Sequence, residues 1–463
     1  MGTLYCHSHD WGGLRLTLLY FIIAISILVV IHEYGHFWVA RRAGVKVLRF
    51  SVGFGKPLFS FSDRHGTEFS VAPIPLGGYV KMLDRREAPV PEQLQAYEFN
   101  SKSPLARIAI AAAGPIANFL FAILVYTLLF WGGTTSFVPV VGQVDEQSIA
   151  AEAGFLPGDE FIEINGKAVG SWQDVNWAML SYIGETRDLP VVVRRGGAES
   201  QTETLNLKLT QYLGDTDAPA PIQSLGIAPR LPDVPLEIAQ VMPDSAAEAA
   251  GLMAGDLIVS ANGEAITDWR QWVMTVRNAA DQTLRVGFER EGLPMTLDVT
   301  PKAITTDDGQ TIGQIGVMPV PPEIPESWQR HSEPGLWLAT QQGVAKTWQL
   351  VVFTLDSLWK MITGDVSVKN LSGPITIAKV AGDSASGGLI VFANFLALLS
   401  VSLGVLNLLP VPMLDGGHIL FYLAEIVRGK PLPESVQIAA VKVGMVLLLM
   451  LMSIAFYNDI SRL

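Results

Sequence analysis

His32-Glu33-Tyr34-Gly35-His36 forms an H-E-x-x-H string inside an apolar run that extends from Leu16 to Ala40. On a helix this spacing places two imidazoles one turn apart on the same face, where they can grip a Zn²⁺ beside a glutamate able to act as base. Glu33 carries the only formal charge between Arg15 and Arg41. Ionisable groups are expensive at membrane depth and mark functional sites there. The alternative of a solvated helix face is excluded.

Two histidines leave a catalytic zinc one protein ligand short, because such sites take three and keep a fourth position open. Cys6 is the single cysteine, so neither an internal disulfide nor a cysteine-built zinc site is possible and the third ligand must be His, Asp or Glu. The run Asn407-Leu408-Leu409-Pro410-Val411-Pro412-Met413-Leu414-Asp415-Gly416-Gly417-His418 offers Asp415 and His418. Its prolines and glycines break an apolar helix and let backbone approach the site. A carboxylate at that depth needs a partner, and Zn²⁺ is one.

These residues must be held by membrane helices. Of 463 residues 49% are hydrophobic and 16% charged, a balance that fits membrane spans joined to soluble domains. Four stretches reach spanning length, about Leu14–Ala40, Leu105–Trp131, Leu389–Leu414 and Val436–Tyr457. The first is too long for a cleaved signal peptide and has no small-residue cleavage site. Arg41, Arg42, Lys46 and Arg49 follow span one; Lys81, Arg85, Arg86, Lys102 and Arg107 lead into span two; Arg428 and Lys430 join spans three and four. By the positive-inside rule these connections are cytoplasmic, and both termini and the long central segment lie outside. Residues 132–330 hold 28 Asp and Glu against 12 Lys and Arg, an acidity that argues against a nucleic-acid partner. The short tail with Cys6, His7 and His9 receives no role.

The central segment contains a repeat. Ser148–Asp159 recurs as Ser245–Asp256, and the same shift of 97 residues carries Asn165-Gly166 onto Asn262-Gly263 and Trp172 onto Trp269. Each copy reads as a short helix, a Gly-Asp turn, a strand (Glu160–Ile164; Leu257–Ala261), an Asn-Gly hairpin turn and a second strand. Two copies at this period mean tandem domains, not a solenoid. The pattern A-x-x-A-G-[FL]-x-x-G-D-x-[FI]-x-x-x-N-G resembles PDZ domains, which take peptide termini by adding them as a strand. Leu225-Gly226-Ile227 and Ile315-Gly316-Val317 are candidate carboxylate loops. Pro219–Pro221, Leu231–Pro235 and Pro319–Pro325 read as linkers. Gly335–Ile362 reads as a helix with Trp337, Trp348 and Trp359 on one face, resting on the outer membrane interface or on the second PDZ-like domain.

HEYGH in span one with N-L-L-P-V-P-M-L-D-G-G in span three resembles the site-2 protease family of intramembrane zinc metalloproteases. The likeness continues through Phe50–Gly55, Pro75–Met82, Ala113–Phe119 and Leu371–Ile375. Tandem PDZ-like domains place the resemblance in the branch that regulates sigma-E in Gram-negative bacteria. It implies His32, His36 and Asp415, rather than His418, as Zn²⁺ ligands and Glu33 as the base. It also implies Asn407 as a hydrogen-bonding partner of the unwound substrate backbone. Thr67, Glu68, Phe69, Ser70 and Val71 alternate as a strand, within a Gly-rich Phe50–Met82 region that suits a membrane-dipping β-hairpin; strand addition to it would clamp an extended substrate. The substrates implied are pre-trimmed single-span membrane proteins, notably an anti-sigma factor, and signal peptide remnants, with the PDZ pair as a sieve. The expected fold is a polytopic α-helical membrane protein of the inner membrane. Its expected parts are a tail (1–13), span one (14–40), a cytoplasmic loop with the hairpin (41–104) and span two (105–131). PDZ domains (132–231 and 232–320), a linker with the amphipathic helix (321–388), span three (389–427) and span four (428–463) follow. A metal transporter built on the same ligands would need a polar path, and spans two and four are nearly free of ionisable residues beyond Arg107 and Lys442 near their ends.

Overall fold

The computed structural model describes residues 11–86, 88–195, 201–214, 220–306 and 310–461. Cys6, His7 and His9 lie outside them. Four helices among the described residues are long and apolar enough to cross a membrane: Leu16–Arg42, Pro104–Trp131, Leu389–Leu408 and Glu434–Ser461. Helix is imposed here because lipid offers backbone groups no partners. Span two starts on Pro104 with Ser103 as its N-cap, the hydroxyl accepting from the Ala106 N–H at 3.3 Å.

Spans one to three pack through small residues. Gly35 lies so close to the Ala113 carbonyl of span two that a Cβ would collide with it, and a Cβ on Gly404 of span three would come within 2.7 Å of the Phe119 ring. Beyond Leu408 the chain leaves the helix for six residues and then starts a new one, Asp415–Arg428. Where the sequence suggests one interrupted span over 389–427, the molecule has two helices joined at Leu409–Leu414. Pro410 and Pro412 remove backbone donors, and Met413 takes a φ of 121°, which an L-residue rarely adopts.

Between spans one and two a four-stranded sheet is built from β1 (Val47–Phe54), β2 (Phe59–Ser62), β3 (Glu68–Val71) and β4 (Ile74–Met82), in the order β2-β3-β1-β4. β3 pairs parallel with β1, Phe50 opposite Phe69, and antiparallel with β2, Phe61 opposite Phe69. This corrects the role expected for Thr67–Val71. Both sides of that strand are already hydrogen-bonded, so no further strand can add to it. The free edges belong to β2 and β4. Leu58, Phe59 and Phe61, at and beside the β2 edge, are all largely exposed. Phe37 of span one packs edge-on against Phe50 and Phe69, at 5.6 and 5.5 Å. Arg41 binds Asp63 and the Thr67 hydroxyl. Burial opposes ionisation of Asp63, but hydrogen bonds from Arg41 and from the Thr67 and His65 N–H groups bring its carboxyl down to about 2.

The central segment is an insertion closed at its neck. Thr134–Phe137, just after span two, pairs antiparallel with Gln329–Ser332. Between them lie two units of the same topology. The first has strand order Gln201–Leu209, Arg187–Arg195, Glu160–Ile164, Lys167–Ala168; the second has Leu293–Val299, Leu284–Arg290, Leu257–Ala261, Glu264–Ala265. Each has its own apolar core. Ser148 and Ser245 cap equivalent helices that end on Gly154 and Gly251 in the left-handed region. Asn165 and Asn262 are also left-handed, as an Asn-Gly turn requires. Pro221, read as linker, opens a short helix to Ser224.

Leu336–Thr363 is a helix, as its pattern suggests. It packs on span two, with Gly343 against Thr127, and touches the first unit. There Trp177 meets Phe353 at 5.3 Å, and the Lys360 ammonium donates to the Ser181 carbonyl at 2.6 Å. Trp337, Trp348 and Trp359 all remain exposed.

Near the end of span four, buried Asp459 accepts from the N–H groups of Gly373, Ile375 and Thr376 and from the Thr376 hydroxyl, at 2.6–3.2 Å. It caps the helix Pro374–Ser386 from a distant part of the chain. Replacing Asp459 with Ala leaves these donors without a partner and is expected to cost about 2 kcal/mol. A detergent-unfolding titration should show a lower midpoint; a wild-type midpoint would contradict the assignment.

Candidate active site

Span one carries His32 and His36 on one face, and the break after span three delivers Asp415 to the same point. His32 Nε2 and His36 Nε2 lie 3.1 Å apart, and Asp415 Oδ2 is 3.2 Å from the first and 3.5 Å from the second. Among the described residues these three form the one group of His, Cys, Asp and Glu side chains able to share an ion. Nitrogen and oxygen ligands arranged tetrahedrally about Zn²⁺ at 2.0–2.1 Å would stand about 3.3 Å from each other. The spacing fits.

The outer nitrogens favour the same conclusion. His36 Nδ1 donates to the Ile110 carbonyl at 2.8 Å, which leaves the Nε2 lone pair facing Asp415 and His32. His32 Nδ1 lies 3.2 Å from the side-chain amide of Asn118, a fully buried residue whose Oδ1 has no other partner. Turning that amide lets Oδ1 accept from His32 Nδ1–H and directs the second lone pair inward as well. Gly114 makes room: a Cβ there would strike His36 Nε2 and sit 2.8 Å from His32 Nε2.

Glu33 shares a cavity of about 350 Å³ with the triad, walled further by Tyr79, Val80 and Met82 of β4, by Asp84, Arg86 and Phe99, and by His418 and Tyr422. β4 lies directly on Glu33, since a Cβ on Gly78 would be 3.5 Å from Glu33 Cγ. His418 lines the cavity without joining the converging atoms. Neither Asn407, in the last turn of span three, nor Thr67–Val71 borders it. Sequence alone does not single out β4, Asn118, Gly114 or the Ile110 carbonyl for the site. A Gly and an Asn four residues apart in an apolar helix, Gly114 and Asn118, were the available signal, because both fall on one face.

Residues 20–451 match the family described as Peptidase family M50. The chain belongs to peptidase family M50. It is 46% identical over 444 residues to "Protease RseP" of Yersinia pestis, covering 96% of this chain and 98% of that protein. It is 44% identical over 443 residues to "Regulator of sigma-E protease RseP" of Escherichia coli K12, with the same coverage of each. A "Putative zinc metalloprotease" of Vibrio cholerae is 40% identical over 444 residues, again across 96% of this chain and 98% of its own length. The chain is an intramembrane zinc metalloprotease.

Gly114→Ala should push the imidazoles off their shared point while leaving the helices formed. A displacement near 1 Å is expected to reduce peptide hydrolysis about 100-fold. Elemental analysis for zinc and circular dichroism on the purified variant would check this, and full zinc content with full activity would refute the packing argument.

Proposed function

We propose that His32, His36 and Asp415 hold the zinc and that Glu33 handles the protons. The observation that carries the reading is the meeting of two imidazole Nε2 atoms and one carboxylate oxygen in a cavity that Glu33 also lines. Held there, Zn²⁺ would supply Lewis acidity that lowers the pKa of a water towards neutrality and polarises a peptide carbonyl. Glu33 takes the proton of the attacking water and passes it to the departing amide nitrogen. Asn118 and the Ile110 carbonyl keep both imidazoles in the tautomer that presents Nε2.

A substrate helix hides its peptide bonds in its own hydrogen bonds and must unwind first. The edge of β4 supports a place for it: Tyr79, Val80 and Met82 line the cavity, and among the described residues β4 pairs with β1 alone. An extended substrate segment would add there as a fifth strand, its backbone groups satisfied at the point of cleavage. The exposed Leu58, Phe59 and Phe61 support burial of the β2 edge in lipid.

The basic flanks after span one and before span two support a cytoplasmic position for the sheet and an external one for the two units, in a bacterial inner membrane. The units are read as a PDZ pair that admits trimmed substrates. Relatives named as regulators of sigma-E support an anti-sigma factor as substrate; signal peptide remnants are proposed as a further class on the resemblance alone.

Purified protein should cut a short single-span reporter more readily than the same reporter carrying a folded external domain. Glu33→Gln should keep its zinc and lose turnover by 10²-fold or more, a magnitude on the order of that for lost general acid–base catalysis. Asp415→Ala should lose both zinc and turnover. Zinc retained in Asp415→Ala would remove Asp415 from the ligand set.

A further inference from the structure

Asp415 is the first residue of a helix whose preceding chain is irregular, so its position depends on how the rest of that helix is held as well as on the close packing of the joint. Leu409–Leu414 has no helical hydrogen-bond ladder and contains the left-handed Met413. The helix Asp415–Arg428 packs chiefly on span two. Asp415, His418, Tyr422 and Glu425 follow at three- and four-residue steps, which places them on one stripe. At the far end of that stripe Arg107 of span two binds Glu425, Nη2 to Oε1 at 2.5 Å, with side chains 9% and 14% exposed. The same guanidinium lies over the Tyr422 ring, 4.7 Å from its centre. Tyr422 in turn stacks with His418 at 6.5 Å and meets Phe99 edge-on at 6.2 Å. Arg107 Nε is buried without a hydrogen-bond partner, and Glu425 is the one ion-pair partner of this guanidinium among the described residues.

Ten residues separate Asp415 from Glu425, a lever of about 15 Å. Because the chain before it is irregular, a small slide or axial rotation of this helix on span two would carry Asp415 off the His32–His36 point. We propose that Arg107, through Glu425 and the Tyr422 ring, is a positioning residue that locks the Asp415 helix onto span two and thereby sets how firmly the metal is held. The inference rests on the reading of Asp415 as a zinc ligand.

The lock is tested by the rate at which the full-length, detergent-solubilised protein gives up zinc to a chelator, beside its unfolding midpoint. Breaking one partner leaves a buried charge uncompensated, whereas replacing both with apolar residues of similar size need not destabilise the fold. Arg107→Met combined with Glu425→Leu is therefore expected to keep a near-wild-type midpoint and to release zinc about tenfold faster or more, as loss of support behind a ligand usually does. Release at the wild-type rate would overturn the lock. If the double variant does not fold, Arg107→Lys is read instead: it keeps the charge but not the planar stack on Tyr422, and faster release supports the proposal while an unchanged rate overturns it. Asp415→Ala serves as control. Zinc retained in Asp415→Ala overturns the ligand assignment and the lock with it; zinc lost there but held normally in the Arg107 variants overturns the lock alone.

Discussion

The whole arrangement depends on one constraint: a polar atom at membrane depth must find its partner inside the protein, because lipid supplies none. Two imidazoles bring four nitrogens into that environment. The outer nitrogens are matched to a backbone carbonyl and an amide of span two, and the inner ones are turned on each other and on Asp415. Opposing lone pairs at 3.1 Å are tolerable only with a cation or a proton between them. The site is thus defined as much by what span two does behind it as by the motif that faces it.

Satisfying those atoms demands close approach, and this explains the glycines. Gly35 and Gly114 bring spans one and two together at the level of the histidines, and Gly416 and Gly417 fold the start of the Asp415 helix back over the carbonyls of Leu408, Leu409 and Val411. A membrane core without a hydrophobic drive between its helices must rely on fitted contacts of this kind. The rigidity so obtained is what allows a ligand arriving on a separate short helix to meet the other two.

The parts legible in the sequence were those whose geometry is local. H-E-x-x-H fixes its own spacing through the helical turn, the apolar runs mark the spans, and the 97-residue shift reveals two equal units. What escaped depends on pairing across distance. Glu68–Val71 is correctly a strand, but its parallel partner β1 takes the side that a hairpin would leave free, so the open edge passes to β4. Arg195 and Arg290 make the same paired bonds to Asp159 and Asp256 and to the Gly154 and Gly251 carbonyls in the two units. They stand 95 residues apart, so a search at the repeat's own period passes over them. Asp459 meets residues more than eighty positions away, and no pattern around either partner announces the other.

The neck ribbon, Thr134–Phe137 against Gln329–Ser332, has a consequence for how such a chain can be assembled and altered. The two inserted units leave and rejoin the membrane portion through adjacent strands, so their entry and exit points are a single sheet spacing apart. Seen from the bilayer, the segment between is a loop whose ends are already closed. Units could be added to it, removed from it or exchanged within it while the helices beneath keep their path, provided the ribbon still forms. The inserted units and the site among the helices are therefore separable in the architecture, and each can change at its own pace.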